Sequence, residues 1–196
     1  MPNTPNTMNV DNFKGQFDGG SRPNRYQISG SIGGKQQVDA SVAGLLVRAT
    51  SMPAVTVGIM RVPFRGRVVK IPGDRTYEEW TFTCYDSFEK TEMYNNFYNW
   101  NNDFSDHVKN TPQGDYTSGG VGVNLDPSAD VYQDWVVAQL DMTGNPKRCT
   151  TLKNCWPTNV SEIALSYDSA DTIAEFTVTF AYDYLTPDCD SRTVEK

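Results

Sequence analysis

Ile173-Ala174-Glu175-Phe176-Thr177-Val178-Thr179-Phe180-Ala181-Tyr182-Asp183-Tyr184 is the stretch whose reading decides the fold. Phe176, Val178, Phe180, Tyr182 and Tyr184 fall on one side of an extended chain, and Glu175, Thr177, Thr179 and Asp183 fall on the other, because successive strand side chains point to opposite faces. The pattern predicts a strand with one dry face and one wet or partnered face. Upstream, Trp156-Pro157-Thr158-Asn159 reads as a proline-set turn. Ile163 to Tyr167 then repeats the same period before the polar link Asp168-Ser169-Ala170-Asp171, which predicts an antiparallel hairpin. A lone hairpin is marginally stable in water, so its aromatic face needs a second layer from the rest of the chain.

Several segments can supply that layer. Tyr26, Ile28 and Ile32 alternate with Gln27, Ser29 and Ser31 up to Gly33-Gly34, and Val42 to Thr50 is a second apolar run, broken by Gly44 and stopped by Met52-Pro53. Thr76 to Tyr85 alternates cleanly, with Trp80, Phe82 and Cys84 opposite Glu79, Thr81 and Thr83. Asp86-Ser87-Phe88-Glu89 has the form of a helix start, and Met93, Phe97, Trp100 and Phe104 follow at helical spacing, predicting one amphipathic helix from about Ser87 to Asp103. From Gln133 to Met142 alternation returns, with Val136, Ala138, Leu140 and Met142 facing in, and Lys147 to Asn154 is polar but β-capable. The expected architecture is mainly β: an antiparallel β-sandwich or barrel with one packed α-helix and long loops.

Thr56 to Met60 and Gly66 to Ile71 form two further strands joined at Val62-Pro63-Phe64-Arg65. Arg61, Arg65, Arg67 and Lys70 make this hairpin the most basic part of an acidic chain. It reads as a self-association device, set against the plainer reading of a solvated hairpin with ordinary surface charge.

The 196 residues suit one domain, with 38% hydrophobic and 12% aromatic residues. A mean hydropathy of -0.54 goes with the lack of any run near the ~20 apolar residues a spanning helix needs. Met1 to Thr7 lacks the basic start and apolar core of a signal peptide, which predicts a protein made and kept in a cytoplasm without a membrane anchor. In that compartment Cys84, Cys149, Cys155 and Cys189, with no C-x-x-C pair, read as buried or incidental thiols. Residues 1–21, rich in Asn, Thr, Pro and Gly, read as a flexible arm, 110–130 as a long loop, and 186–196 as a loose tail.

A net charge of -7 and a pI near 4.7 argue against a surface that grips phosphates, without excluding one that lets nucleic acid pass without sticking. Catalytic chemistry has no foothold. His107 is the one histidine, Gly120-x-Gly122 lacks the rest of a phosphate-binding loop, and Glu78 and Glu79 point to opposite faces of a strand. The expectation is a protein that is not an enzyme and carries no cofactor or metal.

Three blocks resemble one family. Leu152 to Ser169 followed by Glu175 to Tyr184, the block Gly73-Asp74-Arg75-Thr76-Tyr77-Glu78-Glu79-Trp80-Thr81-Phe82-Thr83, and Arg22-Pro23-Asn24-Arg25-Tyr26-Gln27 are similar, in order and spacing, to the tail tube protein family of T4-like contractile-tailed bacteriophages. The resemblance spans Arg22 to Leu185 and implies one tail-tube β domain over 22–185. It also implies that strands join between subunits into a ring-shaped β-barrel, and that hexameric rings stack into the inner tube through which the genome is ejected. Implied partners are other copies of the chain, the tail sheath protein, baseplate tube-initiating proteins and a tail terminator. The tape-measure protein and double-stranded DNA would occupy the lumen transiently, in a virion assembled in the host cytoplasm.

Within that frame Arg61, Arg65, Arg67 and Lys70 are expected at a subunit interface, and Glu79, Glu175 and Asp183 are expected to line the lumen. A repulsive wall lets DNA slide where a basic one would hold it. Two alternatives stand beside this reading. One is the tube subunit of a type VI secretion system or tailocin; the other is a carbohydrate-binding β-sandwich, for which the aromatic residues would have to be exposed.

Overall fold

The computed structural model describes residues 9–17, 20–33, 44–87, 92–106, 111–112 and 131–187. In chain order these form α1 (Val10–Phe17), β1 (Tyr26–Gly30), β2 (Val47–Thr50), β3 (Val55–Phe64), β4 (Arg67–Tyr77), β5 (Trp80–Tyr85), α2 (Met93–Asn102), β6 (Ser105–Asp106), β7 (Thr111–Pro112), β8 (Gln133–Leu140), β9 (Pro146–Val160), β10 (Glu175–Ala181) and β11 (Tyr184–Thr186). The main sheet runs β1-β8-β9-β10-β5-β2, with β11 also paired to β9; β3-β4 and β6-β7 stand as separate pairs. Every pairing is antiparallel.

The alternation in β10 sets the core. Phe176 lies opposite Cys84, Val178 opposite Phe82 and Phe180 opposite Trp80, so two apolar rows share one face, and all six residues are buried. Trp135 of β8 covers them, stacking on Phe82 at 5.4 Å and meeting Phe180 edge-on at 5.1 Å. The helical stripe Met93, Phe97 and Trp100 closes the cluster, as its spacing predicts. Each buried indole N–H finds a carbonyl: Trp80 donates to Ser51 at 2.8 Å, Trp100 to Val131 at 2.7 Å and Trp135 to Ser31 at 3.1 Å. Those bonds fix the orientation of rings whose burial dominates the packing energy. Gly30 is required by the same packing, because a Cβ there would sit 2.2 Å from the Trp135 ring. The outermost strands, β1 and β2, are bridged by the Tyr26 hydroxyl donating to the carbonyls of Val47 and Arg48, with no backbone ladder between them.

β9 holds the sheet together by changing partners along its fifteen residues. Its first part pairs with β8 and β11, and its last part with β10. The switch falls at Asn154, whose φ of 57° lies in the left-handed region that asparagine tolerates. There the Asn154 N–H donates to Asp134 at 3.1 Å and its side-chain amide donates to Asp183 at 2.7 Å.

That strand corrects the expected hairpin. Trp156-Pro157-Thr158-Asn159 is no turn: it lies inside β9, and β9 itself is the partner of β10, while Ile163 to Tyr167 forms no strand. Pro157 is tolerated because it sits at a register shift opposite Phe180, on a part of β9 that pairs on one side alone among the described residues. Leu165 and Tyr167 carry the right period but stand 89% and 107% exposed, since no strand lies beside them.

Smaller differences follow the same logic. Tyr184 leaves the apolar row, because β10 ends at Ala181 and Tyr184 opens β11. Met142 is exposed in the β8–β9 turn, whereas Trp135, Val136, Val137 and Ala138 are all buried, as befits a strand covered on both faces. The helix starts at Met93 after Glu92 at φ 38°, later than the expected Ser87, and Phe104 lies beyond its end, against Trp156 at 5.6 Å. The second apolar run forms a strand from Val47 only. Part of the N-terminal arm is helical, α1, with Val10, Phe13 and Phe17 exposed. Cys84 and Cys155 are free and buried as expected, but Cys149 is disulfide-bonded. His107, Gly120, Gly122, Cys189, most of the 110–130 loop and residues 188–196 lie outside the described residues.

Candidate assembly surface

β3 and β4 form a hairpin that pairs with no other strand among the described residues. Both strands are longer than expected, and the turn is Arg65-Gly66 rather than the Val62–Arg65 segment. Both turn residues have positive φ, 46° and 80°, which matches the right-handed twist of a two-residue hairpin and explains the glycine.

The register sorts the side chains onto two faces. Met60 opposite Ile71, Val62 opposite Val69 and Phe64 opposite Arg67 share one; Ile59 opposite Pro72, Arg61 opposite Lys70 and Pro63 opposite Val68 share the other. Every residue of β3 is exposed, and in β4 only Gly73 and Tyr77 are partly covered. Ile59, Phe64 and Val68 stand 61%, 62% and 58% exposed. Apolar side chains on both faces of an uncovered ribbon are the mark of a surface completed by something else.

The basic residues sharpen that conclusion. Arg61 and Lys70 are directly opposite each other, an arrangement that is unfavourable for like charges. Arg65 lies at the tip, its guanidinium 5.5 Å from the Phe64 ring centre, and Arg67 stands opposite Phe64 on the same face. Among the described residues the ion pairs are Arg48–Glu175, Lys147–Asp141 and Lys153–Asp134, and none involves this hairpin.

The three acidic candidates occupy different places. Glu79 is exposed just ahead of β5. Glu175 opens β10 and is bridged by Arg48 of β2, whose guanidinium pKa this contact raises further. Asp183 lies in the bend between β10 and β11, where it accepts from Asn154. Between them the outer face of β5 and β10 is lined by Thr81, Thr83, Thr177 and Thr179, with the Thr81 and Thr179 hydroxyls 3.3 Å apart. Arg48 escaped sequence reasoning because it lies 127 residues from Glu175, with no local pattern linking them.

Burial pushes the Cys84 thiol up to about 12 and raises that of Cys155, so neither is a thiolate at neutral pH. Among the described residues no three His, Cys, Asp or Glu side chains are grouped to hold a metal, and no helix is long and apolar enough to cross a membrane. Trp80, Phe82, Phe176, Phe180 and Tyr182, which a sugar platform would need at the surface, are buried.

Comparison with known proteins gives the same direction. Residues 13–186 match the family described as phage tail tube protein. The chain is 31% identical over 182 residues to the tail tube protein gp19 of Enterobacteria phage T4, covering 90% of this chain and 99% of that one. It is 27% identical over 139 residues to the tail tube protein of Serratia phage KSP90, covering 70% and 71% of the two chains. Among solved structures, the tube terminating cap of the anti-feeding prophage aligns with a TM-score of 0.57 at 15% identity over 85% of this chain and 89% of that one. The sheath-tube complex of an extracellular contractile injection system in its extended state aligns with a TM-score of 0.57 at 14% identity, over 88% and 95%. At such identities those two structures speak for the fold. The sequence match is of another order, running through 90% of this chain and 99% of the T4 protein, and the chain belongs to the phage tail tube protein family.

Proposed function

We propose that this chain is the structural subunit of the inner tube of a contractile phage tail, forming hexameric rings that stack into the conduit for genome ejection. The observation that carries the reading is the β3–β4 hairpin, a ten-residue and an eleven-residue strand joined tip to tip with apolar side chains exposed on both faces. Among the described residues nothing covers those side chains, whereas a neighbouring copy would. Arg61, Arg65, Arg67 and Lys70 then supply the charge that sets register at the subunit contact.

The sheet supports ring closure. Among the described residues β2 on one side and the Trp156–Val160 part of β9 on the other have no partner strand beyond them, so the segment β9-β10-β5-β2 can continue edge to edge from copy to copy. A barrel pooling strands from several chains encloses a channel rather than a filled core. We assign the outer face of β5 and β10 to that channel, with Glu79, Asp183 and the Arg48-paired Glu175 along it and threonines between.

The finer partners follow from this role: a sheath outside, baseplate initiators and a terminator at the two ends, and tape-measure protein then DNA within, in a virion assembled in the host cytoplasm. A secretion-system or tailocin tube would use the same fold; the 31% identity to a phage protein over nearly its full length favours the phage reading. Electron microscopy of the purified full chain tests it: rings and hollow tubes are expected, and monomers alone at every concentration would overturn it.

A further inference from the structure

The hairpin and one exposed loop lie at opposite ends of the same strand pair. β4 ends at Tyr77 and β5 begins at Trp80, while β2, which enters β3, ends at Thr50 opposite Phe82; both legs of the hairpin therefore leave from the Trp80 end. The connection from Ser161 to Ala174 joins β9 to β10 at the other end, where Glu175 lies opposite Tyr85. Six residues of β5 separate the two ends by ~20 Å. The hairpin springs from the end of that strand pair opposite the loop of its own subunit.

Their chemistry is complementary. Residues 55–77 carry Arg61, Arg65, Arg67, Lys70 and Arg75 against Asp74 alone, whereas 161–174 carry Glu162, Asp168 and Asp171 and no base. None of these loop acids is ion-paired among the described residues. Both segments also expose large apolar groups: Leu165, Tyr167 and Ile173 on the loop, and Met60, Val62, Phe64 and Val69 on the hairpin. Leu165, Ile173 and Glu175 line a hollow of about 350 Å³ beneath the loop.

We propose that the 161–174 loop is the socket for the β3–β4 hairpin of a second copy of this chain. The contact joins one end of a subunit to the opposite end of the next, so it is heterologous and propagates as a stack instead of closing on itself. Apolar side chains of the hairpin tip cover Leu165, Tyr167 and Ile173, and the loop acids face the hairpin's cations. The proposal rests on the tube reading and adds to it the surface that receives each hairpin.

The test uses the full chain with the loop charges reversed, Glu162→Lys, Asp168→Lys and Asp171→Lys, read by sedimentation and electron microscopy. Rings are expected to persist while the concentration needed for stacking rises about tenfold or more. Adding Arg61→Glu, Arg65→Glu, Arg67→Glu and Lys70→Glu to the same chain is expected to restore stacking. Unchanged stacking by the loop variant overturns the socket, and so does a combined variant no better than the loop variant alone. Absence of rings and tubes from the unaltered chain would overturn the tube reading itself, and the socket with it. Should the reversed loop lower the melting temperature, Arg65→Cys with Asp168→Cys decides: oxidation of assembled tubes is expected to give covalent chains running from ring to ring, and intact tubes without such links contradict the proposal.

Discussion

β5–β10 and β3–β4 are both antiparallel pairs with apolar residues at strand spacing, yet one is the centre of the core and the other is bare. In the first, six apolar residues face one way and meet Trp135 and α2; in the second, apolar residues stand exposed on both faces, and only Tyr77 at the root packs against the core among the described residues. The difference teaches that alternation sets which way the residues of a strand face, while the cover over the strand decides whether it belongs to the core or to the surface. A one-sided pattern is completed inside the chain. A two-sided pattern on a detached ribbon is, on the proposed reading, completed by another chain.

The largest expected effect lies on the core side. Trp135→Ala removes a fully buried ring that touches Trp80, Phe82, Phe97 and Phe180, and should cost about 3–5 kcal/mol. That is a large part of the 5–15 kcal/mol typical of a whole domain, so a denaturant titration should show a subunit that is marginal or unfolded. A Trp135→Ala protein with unaltered unfolding midpoint would break the comparison from this side.

Replacing residues 57–75 with a short turn should do the reverse. With neither hairpin face packed on the body, the melting temperature is expected to shift by only a few degrees while tubes disappear. Loss of the fold would show that the hairpin belongs to the core after all. The milder charge variant Arg61→Glu, Arg65→Glu, Arg67→Glu should leave the fold intact and block stacking; tubes of normal length would mean these cations are ordinary surface charge.

The pairs themselves were legible because each residue's direction in a strand depends on its parity alone. Phe176, Val178 and Phe180, and likewise Trp80, Phe82 and Cys84, could be assigned to a dry face without knowing their partners. What covers a strand, and what it pairs with, depends on residues far away. Ile163 to Tyr167 has the period of a strand and is none, because the edge it would have joined is already held by β9. Pro157 reads locally as a turn, and only the register shift opposite Phe180 makes room for it in a strand. At the candidate surface the basic hairpin was legible from its charge and turn residues. The neutralisation of Glu175 by Arg48, and the isolation of Asp183 in a bend, depend on sheet order and had no local signal.

Two smaller effects refine the comparison at its boundaries. Arg48→Ala frees the Glu175 carboxylate on the face assigned to the channel; the tube should still form, with a more negative lumen in its electrostatic map and little change in melting temperature. Tyr182, beside Tyr77 at the root of the hairpin with ring centres 5.9 Å apart, is buried with no hydrogen-bond partner for its hydroxyl. Burial also raises its pKa. Tyr182→Phe should therefore stabilise the subunit by up to about 1 kcal/mol, and a clear loss of stability would reveal a partner for that hydroxyl.

The most direct test is a cryo-electron microscopy map of the assembled tube at side-chain resolution. The account predicts that Met60, Val62, Phe64 and Val69, all exposed in the isolated subunit, are buried against a neighbouring copy. A tube in which both faces of the β3–β4 hairpin remain in solvent would contradict it.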